Sequence, residues 1–415
     1  MIWTAKCILA ANNVYIYIVY NESLMSIKRI LRSFLLVVYG IVLSSCAMLE
    51  AYLSDGLDGP NIFSFERHVH DTIPNGDHVF QFKVAESSAD WIDTLHFYNF
   101  PPRCSNLTFE EAIGEVSPTQ GVMIIHDDSI VYEKYWGDFS ADRLATVFSV
   151  TKSITSLLCG IAIDEGYIDN IDDPVTKYLP ELKGKDPRWE KLTIRYLLCM
   201  FSGLDFDDEY DFNIKQLKTV NDCAKLNYGH NLMKQIRGLK FRCDPGTEYR
   251  YESMTTAILG VVIERATGKR YADYLSEKVW KPLQMESVAL LNIDSRKHGV
   301  AHAFGGITCT LTDLAKIGRL YLNNGLWDGK RIVSEEWVRR TTDYYPKSCY
   351  HYSWYDVRYE GFKTGEYPGY YAYGIAAQTL YVNPHKNLVI VRIGRHNNGR
   401  CFVPDVFEQL SNVWP

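Results

Sequence analysis

Phe148-Ser149-Val150-Thr151-Lys152-Ser153-Ile154-Thr155-Ser156-Leu157-Leu158-Cys159-Gly160 is the stretch on which the reading of this chain turns. It predicts an apolar helix that begins directly after a loop. Residues three apart on a helix lie one above the other, so Ser149 and Lys152 share a face. The first-turn hydroxyl then has an ammonium within reach, over the positive end of the helix dipole. An unassisted serine is a weak nucleophile, and a lysine that gives up its proton in a buried site can activate it. Chance alone supplies about one or two Ser-x-x-Lys matches in a chain of average composition and this length, so the surroundings must carry the argument.

Working outward, the helix is expected to stop at about Gly166, and a polar stretch leads to a second helix over Leu192–Leu204 with a Ser202-Gly203 stop. Asp244-Pro245-Gly246-Thr247-Glu248-Tyr249-Arg250-Tyr251-Glu252-Ser253 precedes a helix at Met254–Arg265, closed by Gly268. Period-2 spacing turns Tyr249 and Tyr251 to one face of that extended segment. Gly305-Gly306 then opens a turn before another helix, with Thr310 or Thr312 as its N-cap.

This order resembles the serine β-lactamase and penicillin-binding superfamily, in its class C-like branch of esterases, peptidases and nylon-oligomer hydrolases. The pattern is closest to the 6-aminohexanoate-dimer hydrolases. The resemblance runs from Leu107 to the C-terminus and is strongest in Ser149–Leu204, Pro245–Gly268 and Gly305–Trp337. It implies an α/β (α+β) fold of the β-lactamase/transpeptidase type, a mainly antiparallel sheet flanked by helices with an inserted all-α lobe. It also implies a serine hydrolase with Ser149 as nucleophile and Lys152 and Tyr251 as its acid and base. The family's Tyr-x-Asn element falls on Tyr251-Glu252-Ser253, where Ser253 keeps a hydroxyl but lacks the amide.

The third element offers two placements. Lys363-Thr364-Gly365 is a literal Lys-Thr-Gly, yet it sits among Gly361, Pro368 and Gly369, a setting unsuited to a strand interior. Tyr371-Ala372-Tyr373-Gly374-Ile375-Ala376-Ala377-Gln378 runs straight into a hairpin and resembles the degenerate form found in the nylon-hydrolase branch. The second placement is preferred on strand compatibility. It implies an oxyanion hole from the backbone N–H groups of Ser149 and Ile375, with Ala372 and Gly374 beside the substrate. Asp205, Asp207, Asp208 and Tyr210 follow the Ser202-Gly203 stop. They read first as a solvated acidic loop. The sharper reading is that Tyr210 closes over the substrate while a carboxylate meets a cationic group on it.

The whole chain sets the bounds. At 415 residues, 47% hydrophobic and 23% charged, it is globular with an ample core. A balance of 44 basic and 50 acidic side chains, without a basic stripe, argues against nucleic acid as a partner. No Cys-x-x-Cys or His-Glu-x-x-His occurs, so the sequence calls for no metal, and no other cofactor is implied. Cys159 and Cys199 fall inside apolar helices and read as buried thiols.

Near the N-terminus, Lys28, Arg29 and Arg32 precede an apolar run, Ser33–Leu43, and then Ser44-Ser45-Cys46. That is the anatomy of a signal peptide. Leu43-Ser44-Ser45-Cys46 resembles a bacterial lipobox, which implies lipidation at Cys46 and a place in the bacterial cell envelope. On this reading residues 1–24 are an upstream extension and 25–45 the signal. Removing residues 1–45 takes away four basic side chains and one acidic one, moving the charge from −6 to −9. Residues 46–105 are expected to form a tether (Ala47–Pro60) and a pre-segment, and 106–415 the hydrolase domain. Hairpins are expected at Gly121–Trp136 and Ala376–Ile393, with a closing helix at Asp405–Trp414.

The function expected is hydrolysis of a small-molecule ester or amide through a Ser149 acyl-enzyme. The alternative is an envelope lipoprotein that recognises peptidoglycan or a β-lactam with little turnover, but recognition alone needs neither an activated nucleophile nor a proton shuttle. An α/β-hydrolase is disfavoured by the absence of a Gly-x-Ser-x-Gly elbow.

Overall fold

The computed structural model describes residues 46–55, 59–98, 105–115, 117–208, 217–343, 348–357, 368–395 and 402–415. The strands of its two larger sheets, in chain order, are β1 (His70–Ile73), β2 (Lys83–Val84), β3 (Thr119–His126), β4 (Ser129–Tyr135), β5 (Ala145–Thr146) and β6 (Ala289–Asn292). They continue with β7 (Ile307–Cys309), β8 (Tyr350–His351), β9 (Trp354–Asp356), β10 (Tyr370–Gly374), β11 (Gln378–Asn383) and β12 (Leu388–Gly394). The helices that matter here are α1 (Cys46–Asp55), α2 (Val150–Asp164), α3 (Ile194–Leu198), α4 (Leu217–Tyr228), α5 (Ser253–Thr267), α6 (Leu311–Leu322) and α7 (Val403–Val413).

The main sheet runs β8-β9-β10-β11-β12-β3-β4-β2, antiparallel throughout except for the β2–β4 pair. Its centre joins the two ends of the chain: Val389, Ile390 and Val391 of β12 lie opposite Ile125, Ile124 and Met123 of β3. Alternation then sends side chains into two cores. Met123 and Ile125 enter the core covered by α2 and α6, whereas Val122 and Ile124 enter the one closed by α7. The β3–β4 turn places Asp127 and Asp128 at φ 49° and 58°, the left-handed pair that a tight hairpin demands.

Between these sheet halves lies the helical lobe, and α2 is its axis. All thirteen residues from Val150 to Ala162 are buried, as expected of a helix that is apolar around most of its circumference. At Gly160 an added Cβ would sit 2.5 Å from the Trp337 ring, so the glycine lets that indole lie flat on the helix.

Three expectations need correction. The helix expected over Leu192–Leu204 shrinks to α3, because Met200 turns to φ 61° and Leu204 bridges to Phe241. The single sheet expected is joined by a second, four-stranded one, β1-β6-β7-β5. Strands of two to four residues leave too little alternation to be seen in sequence. Finally, the stretch expected to be a tether opens with α1, which packs on α4. Its last residue, Asp55, is buried and accepts hydrogen bonds from Ser64 and Tyr228.

Candidate active site

Ser149 stands at the N-cap of α2, on a tight turn out of β5. The residue before it, Phe148, has φ 46°, a left-handed conformation that costs a non-glycine residue on the order of 1 kcal/mol. The turn is held by Val147 N donating to Ile307 O at 3.0 Å and Thr151 N to Phe148 O at 2.9 Å. One helical turn on, Lys152 Nζ donates to Ser149 Oγ at 2.8 Å and to the Phe304 carbonyl oxygen at 2.8 Å.

Lys152 is 1% exposed. Its ammonium lies 5.1 Å from the Tyr251 ring centroid and 5.9 Å from that of Phe304. Burial disfavours the charged form and draws its pKa down to about 8, with the charge of Asp208 pulling the other way. A substantial fraction of neutral amine at mildly alkaline pH is what a base for a serine hydroxyl requires.

The Phe304 carbonyl is itself clamped to α2. Thr155 Oγ1 donates to Ala303 O at 2.6 Å, and Ile307 N donates to Thr151 Oγ1 at 3.2 Å. The helix face that carries Lys152 therefore also fixes the loop that accepts from it.

Asp208 is the residue whose part the sequence hid. Rather than sitting in a solvated loop, it is 6% exposed and caps the start of α5, accepting from Ser253 N at 2.7 Å. Cys223 Sγ donates to its other oxygen at 3.4 Å. Burial raises its carboxyl above the usual range, against the pull of Lys152. Its neighbour Asp207 pairs with Arg250 at 3.0 Å. Nothing in the run of acidic residues distinguishes Asp208 from Asp205 or Asp207; only the meeting of this loop with the start of α5 does so. Next to Ser253, Glu252 is also buried and accepts from Ser202 Oγ at 2.5 Å; burial pushes its carboxyl up to about 7.

The structure brings Ser149, Lys152, Ser253 and Ile375 to one pocket, with the Tyr251 ring against the ammonium. Tyr249 and Tyr251 both approach Tyr350, at 6.5 and 5.6 Å between ring centroids, in keeping with their shared face. Gly374 ends β10 hard against the nucleophile turn: an added Cβ would lie 3.0 Å from Ser149 N and 2.7 Å from Val147 O. Ala372, two residues earlier, is fully buried in the core. After Ile375 the chain turns through Ala376 and Ala377 at φ 61° and 57°. Buried Arg392 holds that turn, donating to their carbonyl oxygens at 3.0 and 2.7 Å. Tyr210 and Lys363 lie outside the described residues. Cys159 and Cys199 are buried thiols, and burial pushes the Cys199 thiol up to about 11.

A nucleophile turn, a buried lysine beneath it and the end of a sheet strand alongside define a β-lactamase-fold site. The chain belongs to the beta-lactamase family, whose profile matches residues 109–399, and it is by class a serine hydrolase. It is similar to the 6-aminohexanoate-dimer hydrolase of Paenarthrobacter ureafaciens, 29% identical over 302 residues, which is 67% of this chain and 73% of that protein. Among solved structures, a Bacillus anthracis protein provisionally described as a 6-aminohexanoate-dimer hydrolase superposes with a TM-score of 0.71 at 20% identity, covering 84% of this chain and 91% of that one. A class C beta-lactamase from Rhodobacter sphaeroides gives 0.53 at 18% identity, over 74% and 98% of the two chains. At such identities these structures speak for the fold.

The pKa of Lys152 yields a prediction. Below about pH 8 the rate of fluorophosphonate labelling at Ser149 should rise nearly tenfold per pH unit, and above it level off. Asp208 favours the ammonium, so Asp208→Asn should move the inflection to lower pH. An inflection near the ordinary lysine value, or a shift upward in the variant, would contradict this.

Proposed function

We propose that the protein hydrolyses an ester or amide bond of a small molecule through an acyl-enzyme on Ser149, with Lys152 and Tyr251 exchanging the proton. The observation that carries the reading is the 2.8 Å contact from a fully enclosed Lys152 Nζ to Ser149 Oγ. Neutral Lys152 takes the hydroxyl proton as Oγ adds to the carbonyl carbon. The oxygen of that carbonyl gains the negative charge and is met by the N–H groups of Ser149 and Ile375. Tyr251 delivers a proton to the departing alkoxide or amine as the C–O or C–N bond breaks, and is reprotonated from Lys152. Water then adds to the acyl-enzyme, giving its proton to the same pair, and Ser149 leaves with its own proton restored as the acid departs.

The similarity to an enzyme named for the 6-aminohexanoate dimer supports short linear amides as the substrate class. Ser253, in place of an asparagine amide, supports a site less suited to the side-chain amide of a β-lactam. Ser149→Ala should remove turnover. Lys152→Ala and Tyr251→Phe should each lower kcat by orders of magnitude, and the double variant by little more than either, since groups on one proton path are not additive. Losses that multiply in steady-state assays on a p-nitrophenyl ester would show that the two do not share that path.

The same reading anchors the chain in a bacterial cell envelope through a lipid on Cys46, on the strength of the basic, apolar and small-residue succession that precedes it. Cys46→Ser should move the protein from the membrane to the soluble fraction after export. Retention of the variant in the membrane fraction would refute the anchor.

A further inference from the structure

A cavity opens beside Ser149, and part of its wall comes from sequence that precedes the family's profile. Pro60, Ser64 and His68 line it together with Ser149 and Ile375, whereas the profile begins at residue 109. That wall is fixed in place. Asp55, at the end of α1, accepts from Ser64 Oγ and from the Tyr228 hydroxyl, and lies 3.9 Å from His68 Nε2. Burial alone would raise the Asp55 carboxyl, but hydrogen bonds and charge from His68, Ser64 and Tyr228 outweigh it and hold it below the usual range. It remains an anion, and the clamp persists across the working pH range. The His68 and Tyr228 rings meet at 5.3 Å, and Tyr228 also lines the cavity.

Two further lining residues, Asn292 and His302, are 8% and 4% exposed. Asn292 Oδ1 and His302 Nε2 have no hydrogen-bond partner among the described residues. Each such buried group costs about 1–3 kcal/mol when left unmet, so a pair of them in one cavity points to a ligand group that meets them. They are held side by side: His302 N donates to Asn292 O at 2.8 Å, and Asn292 N to Gly306 O at 3.0 Å. Gly306 lies between them, where a Cβ would come within 2.9 Å of His302 Cβ and 3.2 Å of Asn292 Cβ. Burial draws His302 down to about 3, which leaves the ring neutral. The Asp55 carboxylate behind the wall accepts hydrogen bonds from Ser64 and Tyr228.

We propose that this cavity is a substrate subsite for an uncharged hydrogen-bonding group, an amide or hydroxyl carried close to the scissile carbonyl, with His302 and Asn292 making the contacts and residues 60–68 closing the wall. The proposal rests on Ser149 being the nucleophile. It makes selectivity depend in part on Pro60, Ser64 and His68, which precede the family's common region.

The test compares p-nitrophenyl esters of N-acetylglycine and of pentanoic acid, chains of equal length with and without an amide, each corrected for its spontaneous hydrolysis. The full chain should favour the amide ester at least tenfold in kcat/KM. His302→Leu and Asn292→Leu should bring the ratio to within threefold of unity, and His68→Ala should lower it at least threefold. Fluorophosphonate labelling reports separately whether Ser149 still reacts in each variant. Should the buried variants fail to fold, half-buried His68 carries the test alone. No amide preference in the unaltered chain, or a ratio unchanged within twofold in labelled variants, would overturn the subsite. Failure of the unaltered chain to label at Ser149 would instead overturn the acyl-enzyme reading, and the subsite with it.

Discussion

The ammonium of Lys152 is enclosed in protein, and the rest of the site is arranged around that fact. Lysine ordinarily extends its charge to water along an apolar stem. Here the helix that carries it is buried on every side from Val150 to Ala162, so no such route exists. Its hydrogen bonds go to Ser149 Oγ and the Phe304 carbonyl, and aromatic faces of Tyr251 and Phe304 take up the remaining approaches. An ammonium so placed binds its proton less firmly than in water. The same burial that would be a liability elsewhere makes the group a base beside the hydroxyl.

Holding that arrangement requires contacts from distant parts of the chain. The Phe304 loop is pinned to α2 by Thr151 and Thr155. The start of α5, and with it Tyr251 and Ser253, is capped by Asp208 from the loop beyond α3. Strand β10, which ends in Gly374, is brought against Ser149, and the turn after it is secured by Arg392 from β12. Chemistry at Ser149 thus depends on side chains more than 200 residues away in sequence, which is why the two sheet halves must close before the site exists.

Much of this was legible in the chain. The spacing of Ser149 and Lys152, the Pro245-Gly246 lead into Tyr251, and both hairpins all appear where local pattern and turn chemistry predict them. The C-terminal helix, expected at Asp405–Trp414, runs over Val403–Val413. The failures share a cause, which is that they depend on contacts distant in sequence. Strands β1, β5, β6 and β7 are too short to show alternation and exist because they pair with one another. Helix α1 carries no strong amphipathic stripe and is fixed through the Asp55 cluster. Asp208 differs from its acidic neighbours only by what it meets in the folded protein. His302 and Asn292 carry no motif; only their shared cavity and unmet polar atoms single them out.

The central claim, that enclosure makes Lys152 the base, is open to direct measurement. With lysines labelled at 13Cε, the Lys152 resonance, assigned by its loss in Lys152→Arg, can be followed against pH. This account predicts a titration midpoint at about 8, set by burial. A midpoint at the ordinary lysine value of about 10.4 would contradict it, because the group next to Ser149 would then be an ammonium throughout the neutral range.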